Sequence, residues 1–575
     1  MVGVSCLVEI YCCVSGQNMA KKPAASTIVE TTAQAALRAS WAPLAIIVLA
    51  QLQMGININA LPVSLGPIVD DLNAPATSIS TALVLYSLFV AAFVMLGAKI
   101  GKLFGERLVF QVSAVGHGAA MALMAIATDA NMMNIAQAMA GIAAALLVPT
   151  LVVLIAANYS GRQQEQSLGI LASIPAVASG LTFIVAGYIA TALTWRVSFG
   201  LIFVISLAVL FLSFRMKPVP RHKGISIDFV GVVLSALAIA LLLFGFNNLN
   251  SWGIVIAKPA APISILGLSP APFMLLLGVV LGQAFFAWSE RRVAKNKTPL
   301  LALEVLDTSE ERNAVYAFLV AGGLGSAISF LIPLYIQIVQ DRTPFFTSIA
   351  IVPYAITVAA AAILSVRLYD RLTPRLLALI SFVLVGAGML VLAFTIGNDW
   401  STPAVIFGLI LVGLGEGTTL TLLFNVLVSA SPKELAGDVG ALRGVVNNVS
   451  SALGAAFAGV VAVVLLSVMI TTAFAQSNLP PSLQQEINFD NIDFVSNDQL
   501  KEVLSQTSVA EDQIDEAVAI NAAARLRALR ATFLLLAAIS LLALIPSTRL
   551  PNYKPGQLSA EDMVAEKKPK PTKAK

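Results

Sequence analysis

Residues 79–97 read ISTALVLYSLFVAAFVMLG and contain no charged side chain. A helix that rises 1.5 Å per residue needs about 20 such residues to cross a hydrocarbon core about 30 Å thick. The turn AKIGKLFGER follows directly over residues 98–107 and carries four charged residues, and a second apolar run begins at residue 109. A long apolar run followed by a short charged turn is typical of membrane-spanning helices.

The same pattern recurs along the chain and predicts fourteen spans. They cover residues 42–67, 79–97, 109–128, 135–158, 168–193, 197–214, 228–247, 272–289, 314–339, 347–366, 374–397, 403–429, 441–474 and 527–546. An even number of spans places both chain ends on one side of the membrane. No glycine or proline occurs from Val509 to Ile545, so we expect the last span to continue from a helix outside the membrane. We expect the apolar stripe of that helix to pack on residues 484–505; it consists of Ile514, Val518, Ala522 and Leu526.

The composition of the whole chain supports this interpretation. Of 575 residues, 58% are hydrophobic and 11% are charged, and the formal net charge is only +4. Soluble domains carry about 25% charged residues, because charge covers their surface. The composition therefore argues against a soluble enzyme, a disordered chain and a nucleic-acid-binding protein. It predicts an all-α, multi-pass integral protein of the cell (inner or plasma) membrane, in contact with the lipid bilayer.

The distribution of lysine and arginine predicts the orientation. If both ends are cytoplasmic, the inner segments hold 28 of the 35 basic residues. The outer segments then hold seven: Arg196, Lys258, Arg342, Lys501, Arg525, Arg527 and Arg530. Because basic residues accumulate in cytoplasmic loops, this asymmetry predicts that the N and C termini face the cytoplasm.

Spans and charges together predict five regions. They are a cytoplasmic tail (1–41), a first six-helix bundle (42–214), a basic linker with two extra spans (215–313), a second six-helix bundle (314–546) with an acidic outer loop (475–526), and a lysine-rich cytoplasmic tail (547–575). All three cysteines precede Met19, where a typical cytoplasmic tail begins. We therefore expect Met19 to be the true start, so that residues 1–18 are not translated and the working protein contains no cysteine.

Two turns in corresponding positions carry related charges. Residues 98–107 and 366–375 align at an offset of 268 residues. The offset gives three pairs: Lys99 and Arg367, Lys102 and Asp370, and Arg107 and Arg375. An internal repeat of this kind is typical of transporters built from two similar halves.

These turns and several span motifs resemble the major facilitator superfamily, and within it the fourteen-helix branch of drug:proton antiporters. The span motifs are Leu61-Pro62 in the first, Gln137-Ala138-Met139-Ala140-Gly141 in the fourth, Trp195-Arg196 after the fifth and Pro333-Leu334-Tyr335-Ile336-Gln337 in the ninth. The resemblance covers residues 42–546. It implies the major facilitator fold, two six-helix bundles with two extra helices, that exposes a central site to each side of the membrane in turn.

Several family positions hold other residues in this chain. Gln53 stands at the position of the family's first-span Asp, and Gln137 at that of its fourth-span Arg. In the inner turn the acidic and basic positions hold Lys102 and Glu106, so the two charges are exchanged. The two residues are four apart, so we expect them to pair if the turn is helical. By resemblance, the candidates for a gate at the inner turns are Lys102, Gly105, Glu106, Arg107, Asp370 and Arg375.

Glu416 is a carboxylate near the centre of a predicted span, within Gly413-Leu414-Gly415-Glu416-Gly417. An ionisable residue at that depth costs about 2.5–3.5 kcal/mol on insertion scales, so it is a functional candidate. We predict that Glu416 carries the coupling proton. The alternative is a structural hydrogen bond between helices.

Polar side chains in other spans are candidates for the substrate cavity. Gln53 and Asn57 lie four residues apart and share one helix face. The remaining candidates are Gln137, His117 and Asn425. Uncharged amides suit hydrogen bonding to a neutral or zwitterionic solute, and their alternative role is to link neighbouring helices.

No Gly-x-x-x-x-Gly-Lys-Ser/Thr loop occurs, the sequence has only two histidines, and no cysteine follows Met19. These absences argue against ATP-driven transport, a bound metal or cofactor, and an enzyme. We predict a secondary active transporter of a small organic, amphiphilic solute, with protons as the candidate coupling ion and export as the direction that the resemblance implies. The alternative is a transporter-like scaffold without proton coupling that serves as a receptor, lipid-handling or accessory protein. The sequence leaves the substrate and the oligomeric state open.

Overall fold

The computed structural model describes residues 40–159, 161–219, 221, 227–306, 308–368, 371–398, 403–430, 436–477, 494, 496–505 and 511–552. In that part of the chain the regular structure is helical, and the only β-structure is two isolated bridges. The predictions made on both chain tails, on Asp370 and on residues 478–493 and 506–510 of the acidic loop lie outside the described residues.

Fourteen long helices occur in the described ranges. They are α1 (Ala42–Val63), α2 (Thr77–Phe104), α3 (Glu106–Ala125), α4 (Ala130–Asn158), α5 (Gly161–Ala192), α6 (Trp195–Ser213), α7 (Phe229–Asn247), α8 (Pro270–Ala294), α9 (Ser309–Leu334), α10 (Pro344–Leu368), α11 (Pro374–Thr395), α12 (Pro403–Ala430), α13 (Ala436–Ala475) and α14 (Glu511–Leu542). Thirteen are long and apolar enough to cross a membrane over their described residues, and α5 is the fourteenth candidate. The all-helical class predicted from the sequence is confirmed.

Short helical segments connect or extend the long helices. They are Leu65–Leu72 after α1, Leu249–Trp252 after α7, a 3₁₀ turn at Leu303–Leu306, a π-turn at Tyr335–Val339, Asn497–Ser505 before α14, and Leu544–Ser547 after it. The π-turn directly continues α9, so the ninth span ends in π-helical rather than α-helical geometry.

Local sequence signals explain several helix ends. The Asp129 carboxylate accepts hydrogen bonds from the amides of Asn131 (2.8 Å) and Met132 (2.9 Å) at the start of α4. Thr308 and Glu311 form a reciprocal capping box at the start of α9. Gly105 separates α2 from α3 with φ = +95°, a conformation that glycine adopts without steric cost.

The long helices pack in two groups of six with an extra pair beside them. Helices α1–α6 form the N-terminal bundle and α9–α14 the C-terminal bundle. The bundles meet along two seams, where α2 packs on α13 and α5 packs on α10. The extra helices α7 and α8 pack on each other, and α7 contacts both α2 and α13. The extra pair therefore lies against one seam.

One buried carboxylate ties the extra pair together. Asp228 caps α7 by accepting from the amide of Gly231 (3.0 Å) and also accepts from the Trp288 indole of α8 (2.9 Å). Arg292 of α8 forms an ion pair with the same carboxylate (3.5 Å). The α7–α8 pair is thus fixed at the end opposite to its connecting loop.

Helix α14 continues without a break over 32 residues. The continuous helix predicted from the absence of glycine and proline is confirmed from Glu511 onward. Ile514, on the predicted apolar stripe, is 5% exposed and shares a core with Leu504 of the preceding short helix. Lys501 and Asp515 form an exposed ion pair (3.1 Å) across the same contact. We call Asn497–Ser505 and the first turns of α14 the outer cap.

Candidate functional site

Glycines on α12 determine where Glu416 points. A side chain at Gly417 would meet the backbone of Val358 on α10, and one at Gly415 would meet the backbone of Ser381 on α11. Two neighbouring helices therefore approach α12 to backbone contact, which small residues allow. The Glu416 carboxylate lies directly against the α-carbon of Gly325 on α9. Three helices of the C-terminal bundle thus surround one acidic side chain.

The Tyr354 hydroxyl of α10 donates a hydrogen bond to the Glu416 carboxylate at an O···O distance of 2.5 Å. This distance is typical of a hydroxyl that donates to a carboxylate. Tyr354 is 6% exposed, whereas Glu416 is only half-buried. A buried donor therefore holds the carboxyl group of a side chain that is itself only partly buried.

A small cavity of about 10 Å³ adjoins the carboxylate. Its walls come from α9, α11 and α12, and include Leu324, Phe382 and Val412. This volume is about the space that the centre of one water molecule needs. Among the described residues, no lysine or arginine forms an ion pair with Glu416. The site can hold and release a proton without breaking a salt bridge.

Two of the predicted cavity residues pair with each other in the N-terminal bundle. Asn57 of α1 donates to Gln137 of α4 at 2.9 Å, and Gln137 donates back at 3.0 Å. Both side chains have no exposed surface. The reciprocal pair links two helices, which is the alternative role that the sequence left for these amides.

Gln53 and His117 are also fully buried, but their polar atoms have no hydrogen-bond partner within the described chain. Gln53 lies one turn before Asn57 on the same face of α1. A buried amide without a partner costs about 1–3 kcal/mol. Asn425 lies on α12, but its side chain is outside the described part of the structure.

The predicted gate residues of the first inner turn do not form the expected pair in the described chain. Glu106 is 3% exposed and packs against Gly101, whereas Lys102 is exposed and forms no ion pair with it. The reason is Gly105, which ends α2 between the two residues, so they do not share a helix. Arg107 instead donates to the carbonyl of Phe214 (2.7 Å).

In the second inner turn, only Arg375 of the two gate candidates is described. Its backbone amide donates to the carbonyl of Pro551 (3.1 Å), which follows the last helix. The turn is therefore attached to the segment that leaves α14. Asp370 lies outside the described residues.

The opposite face of the molecule is closed by a side chain that sequence reasoning did not select as a site residue. We call this the outer face, according to the orientation predicted from the basic residues. Gln337, in the π-turn, donates to the carbonyl of Val63 (2.9 Å) and accepts from the amide of Gly66 (2.7 Å). These bonds join the C-terminal bundle to the end of α1, and we call them the outer clasp.

The second seam is also closed at the outer face. The amide of Phe345 on α10 donates to the Thr191 hydroxyl on α5 (3.0 Å). A side chain at Gly187 would clash with the Ser348 hydroxyl, so the two helices touch directly. Together with the outer clasp, this contact joins the two bundles at the outer face.

Arg525 of α14 has no exposed surface. Its guanidinium donates to the carbonyl of Ile338 in the π-turn (3.3 Å) and to the Asn497 side chain in the outer cap. Arg525 therefore joins the outer cap to the helix that carries Gln337.

A hydrogen bond also joins the outer cap to the N-terminal bundle. Gln499 donates to the Asp70 carboxylate (2.9 Å). Partial burial, and to a lesser extent the nearby Asp341, raise the pKa of the Asp70 carboxyl above its ordinary value. The outer cap is therefore attached to the N-terminal bundle by an exposed hydrogen bond and to the C-terminal bundle by the buried Arg525.

Sequence reasoning missed Tyr354, Gln337 and Arg525 as functional candidates. Tyr354 follows Pro353 within a predicted span, and a tyrosine there is usually explained as packing. Arg525 was counted among the outer basic residues, where a charge is normally solvated. The available signal was its position on a helix without glycine or proline, three turns after Ile514 and therefore on the same face as the apolar stripe.

Two bundles of membrane-spanning helices that are joined at one face, with a half-buried acid inside the second bundle, are typical of an integral membrane transporter. The profile of the Major Facilitator Superfamily matches residues 47–455. The chain belongs to this superfamily, whose members are multi-pass membrane transporters and not enzymes.

Known proteins resemble the chain over most of its length. It is 28% identical to the puromycin resistance protein pur8 of Streptomyces alboniger, over 76% of this chain and 85% of that protein. It is 26% identical to the multidrug efflux pump LfrA of Mycolicibacterium smegmatis, over 76% and 82% of the two chains. A crystal structure of a bacterial homologue of the human lysosomal transporter Spinster, inward-facing and unoccupied, has a TM-score of 0.59 and 12% identity, over 88% of this chain and 97% of that one. This last likeness concerns the fold.

Proposed function

We propose that this transporter exports a small amphiphilic organic solute and that proton entry drives the export. The observation that carries the proposal is the Glu416–Tyr354 pair, a half-buried carboxyl in mid-span with a hydrogen-bond donor and no ion-pair partner among the described residues. A group of this kind can take a proton from one side of the membrane and release it to the other as the bundles move. The relatives named for puromycin resistance and multidrug efflux support export as the direction.

The solute is proposed to contact the N-terminal bundle at Gln53. Its buried amide has no partner in the described chain and lies on the α1 face that also carries Asn57. A hydroxyl or amide of a neutral or zwitterionic solute would satisfy it. Proton binding in one bundle and solute binding in the other would then both respond to the same rocking movement.

Flux measurements in proteoliposomes test the proposal directly. Vesicles are loaded with puromycin as the probe solute, and a proton gradient is imposed in each direction. We expect puromycin to move against its gradient only when protons flow the opposite way, and an ionophore that collapses the gradient to stop it. Puromycin flux that ignores the gradient would instead favour a scaffold without proton coupling.

Gln53 and Asn57 allow a matched comparison on one helix face. We expect Gln53→Leu to keep or raise the melting temperature, because it removes an unpartnered buried amide. The same variant should bind puromycin about tenfold more weakly, since one hydrogen bond is worth up to about 1.4 kcal/mol. Differential scanning fluorimetry with a puromycin titration measures both effects.

Asn57→Leu should behave differently in the same assay. It leaves the Gln137 amide buried and unpaired, which should lower the free energy of unfolding by about 1–3 kcal/mol. If Gln53→Leu is the more destabilised variant, or if it binds puromycin as tightly as the native protein, Gln53 is a structural residue.

We also propose that both termini face the cytoplasm, with the α7–α8 loop outside. Single cysteines placed at the exposed positions Ser251 and Lys297, with Cys6, Cys12 and Cys13 replaced by serine, test this orientation. A membrane-impermeant maleimide should label Ser251→Cys in intact cells and Lys297→Cys only after the cells are opened. The reverse labelling pattern would invert the topology.

A further inference from the structure

The loop that connects α7 to α8 forms a defined hairpin. The Ser269 amide donates to the Val255 carbonyl (2.8 Å), and the Ala257 amide donates to the Gly267 carbonyl (3.0 Å). Ile265 and Leu268 exchange amide-to-carbonyl bonds of 3.0 Å across the tip. These backbone hydrogen bonds fix the conformation of the loop, and with it the positions of the side chains at its tip.

The tip of the hairpin holds a leucine in an unfavourable backbone conformation. Leu266 has φ = +55° and Gly267 has φ = +81°. Two consecutive positive φ angles are typical of a two-residue hairpin turn that normally carries Asn-Gly or Asp-Gly. Packing within the protein does not compensate for this backbone conformation, because the Leu266 side chain is 98% exposed.

The exposed leucine belongs to a larger apolar surface. Ile254 (56%), Val255 (61%), Ile256 (75%) and Ile263 (60%) are also largely exposed. Lys258 is the only charged residue from 249 to 271. A loop in water usually exposes single apolar side chains. A larger exposed apolar patch usually marks a surface that contacts another protein or the membrane.

The neighbouring helices indicate what covers this patch. The hairpin joins two spanning helices, and the adjacent outer turns of α8 expose Phe273 (41%) and Leu276 (65%), as a surface in contact with lipid does. Trp252, at the base of the hairpin, packs edge-on against Phe244 of α7 (5.5 Å between centroids). Tryptophan is enriched where the bilayer meets water. The apolar patch is thus continuous with the lipid-facing side of α7 and α8.

We propose that the α7–α8 hairpin inserts into the outer leaflet of the bilayer, with Leu266 deepest, and anchors the extra helix pair in lipid. Asp228 fixes the pair at the inner end, and the hairpin would fix it at the outer end. Because α7 contacts both α2 and α13, the anchored pair holds a constant position beside the seam along which the bundles move.

Depth-dependent fluorescence quenching tests the anchor on the full-length chain. Leu266→Cys, in the background without Cys6, Cys12 and Cys13, is labelled with an environment-sensitive dye and reconstituted into phosphatidylcholine–phosphatidylglycerol vesicles. The matched control is Thr128→Cys, an exposed position on another outer loop. We expect acyl-chain spin labels placed about 5–10 Å below the headgroups to quench the Leu266 label at least about twice as strongly as the control, and aqueous iodide to show the opposite order. Equal quenching at both positions would overturn the proposal.

A second variant separates insertion from the shape of the turn. Leu266→Asn suits the backbone conformation of the tip but removes its apolar side chain. A dye at Ile263→Cys should lose lipid quenching when Leu266→Asn is added, while the variant remains folded. Unchanged quenching would contradict an anchor at Leu266. Disulfide formation between Leu266→Cys copies at low protein density would place a second copy of the chain on the patch and would also overturn the proposal.

Discussion

Replacing Glu416 with glutamine should abolish proton-driven transport while the protein stays folded and inserted in the membrane. Glutamine keeps the shape of the side chain and can still accept the hydrogen bond from Tyr354, but it cannot exchange a proton. The fold should persist, because no ion pair of the described chain is lost. Gradient-driven puromycin flux in proteoliposomes measures the effect.

Two variants make this result specific. Tyr354→Phe removes the donor to the carboxylate and should move the pH of half-maximal transport without abolishing flux. Glu304→Gln, at an exposed acid of the 3₁₀ turn before α9, should transport normally. Full gradient-driven flux by Glu416→Gln would mean that the Glu416–Tyr354 contact only links α12 to α10.

Replacing Arg525 with alanine should increase hydrogen exchange across Asn497–Ser505 by about 10- to 150-fold. Arg525 supplies the buried contact between this helix and the π-turn, and hydrogen bonds of a charged group contribute about 1.5–3 kcal/mol. Without the guanidinium, the Ile338 carbonyl and the Asn497 side chain lose a donor. Mass spectrometry of the reconstituted transporter after exchange measures the change.

The matched control lies two residues further along the same helix. Arg527 is exposed, so Arg527→Ala should leave exchange in the outer cap unchanged. Exchange that rises equally in both variants would indicate a general loss of helix stability in α14. Unchanged exchange in Arg525→Ala would show that apolar packing, such as that of Ile514 against Leu504, is sufficient to hold the cap.

The fold was readable from the sequence because the bilayer imposes a simple rule on length and composition. Runs such as residues 79–97 and 374–397 can exist in lipid only as helices, since every backbone group must be bonded internally. The uninterrupted α14 was predictable because no glycine or proline occurs from Val509 to Ile545. The π-turn at Tyr335–Val339 left no comparable trace, because its sequence differs little from that of an α-helical end.

The candidate site was only partly readable, because pairing partners are distant in sequence. Glu416 was identified by its depth in a span, but its donor Tyr354 is 62 residues away. Gln53 and Asn57 looked equivalent on one face of α1, and only the approach of Gln137, 80 residues beyond Asn57, distinguishes them. For Lys102 and Glu106, in contrast, the sequence predicted a contact that the structure does not contain. Their spacing of four residues suggested a pair, and the break at Gly105 separates them.

The unbroken course of α14 gives the outer cap a mechanical role. Its 32 residues make a rod about 48 Å long, which exceeds the hydrocarbon core of about 30 Å. Arg525 clamps the outer part of this rod to the C-terminal bundle, so the cap turns with that bundle as a lever arm. Its described side-chain hydrogen bond to the N-terminal bundle is the exposed one between Gln499 and Asp70. Tilting the bundles apart would therefore sweep the cap off the outer mouth and break the bond between Gln499 and Asp70 together with the outer clasp, while the buried Arg525 contacts travel with the lever.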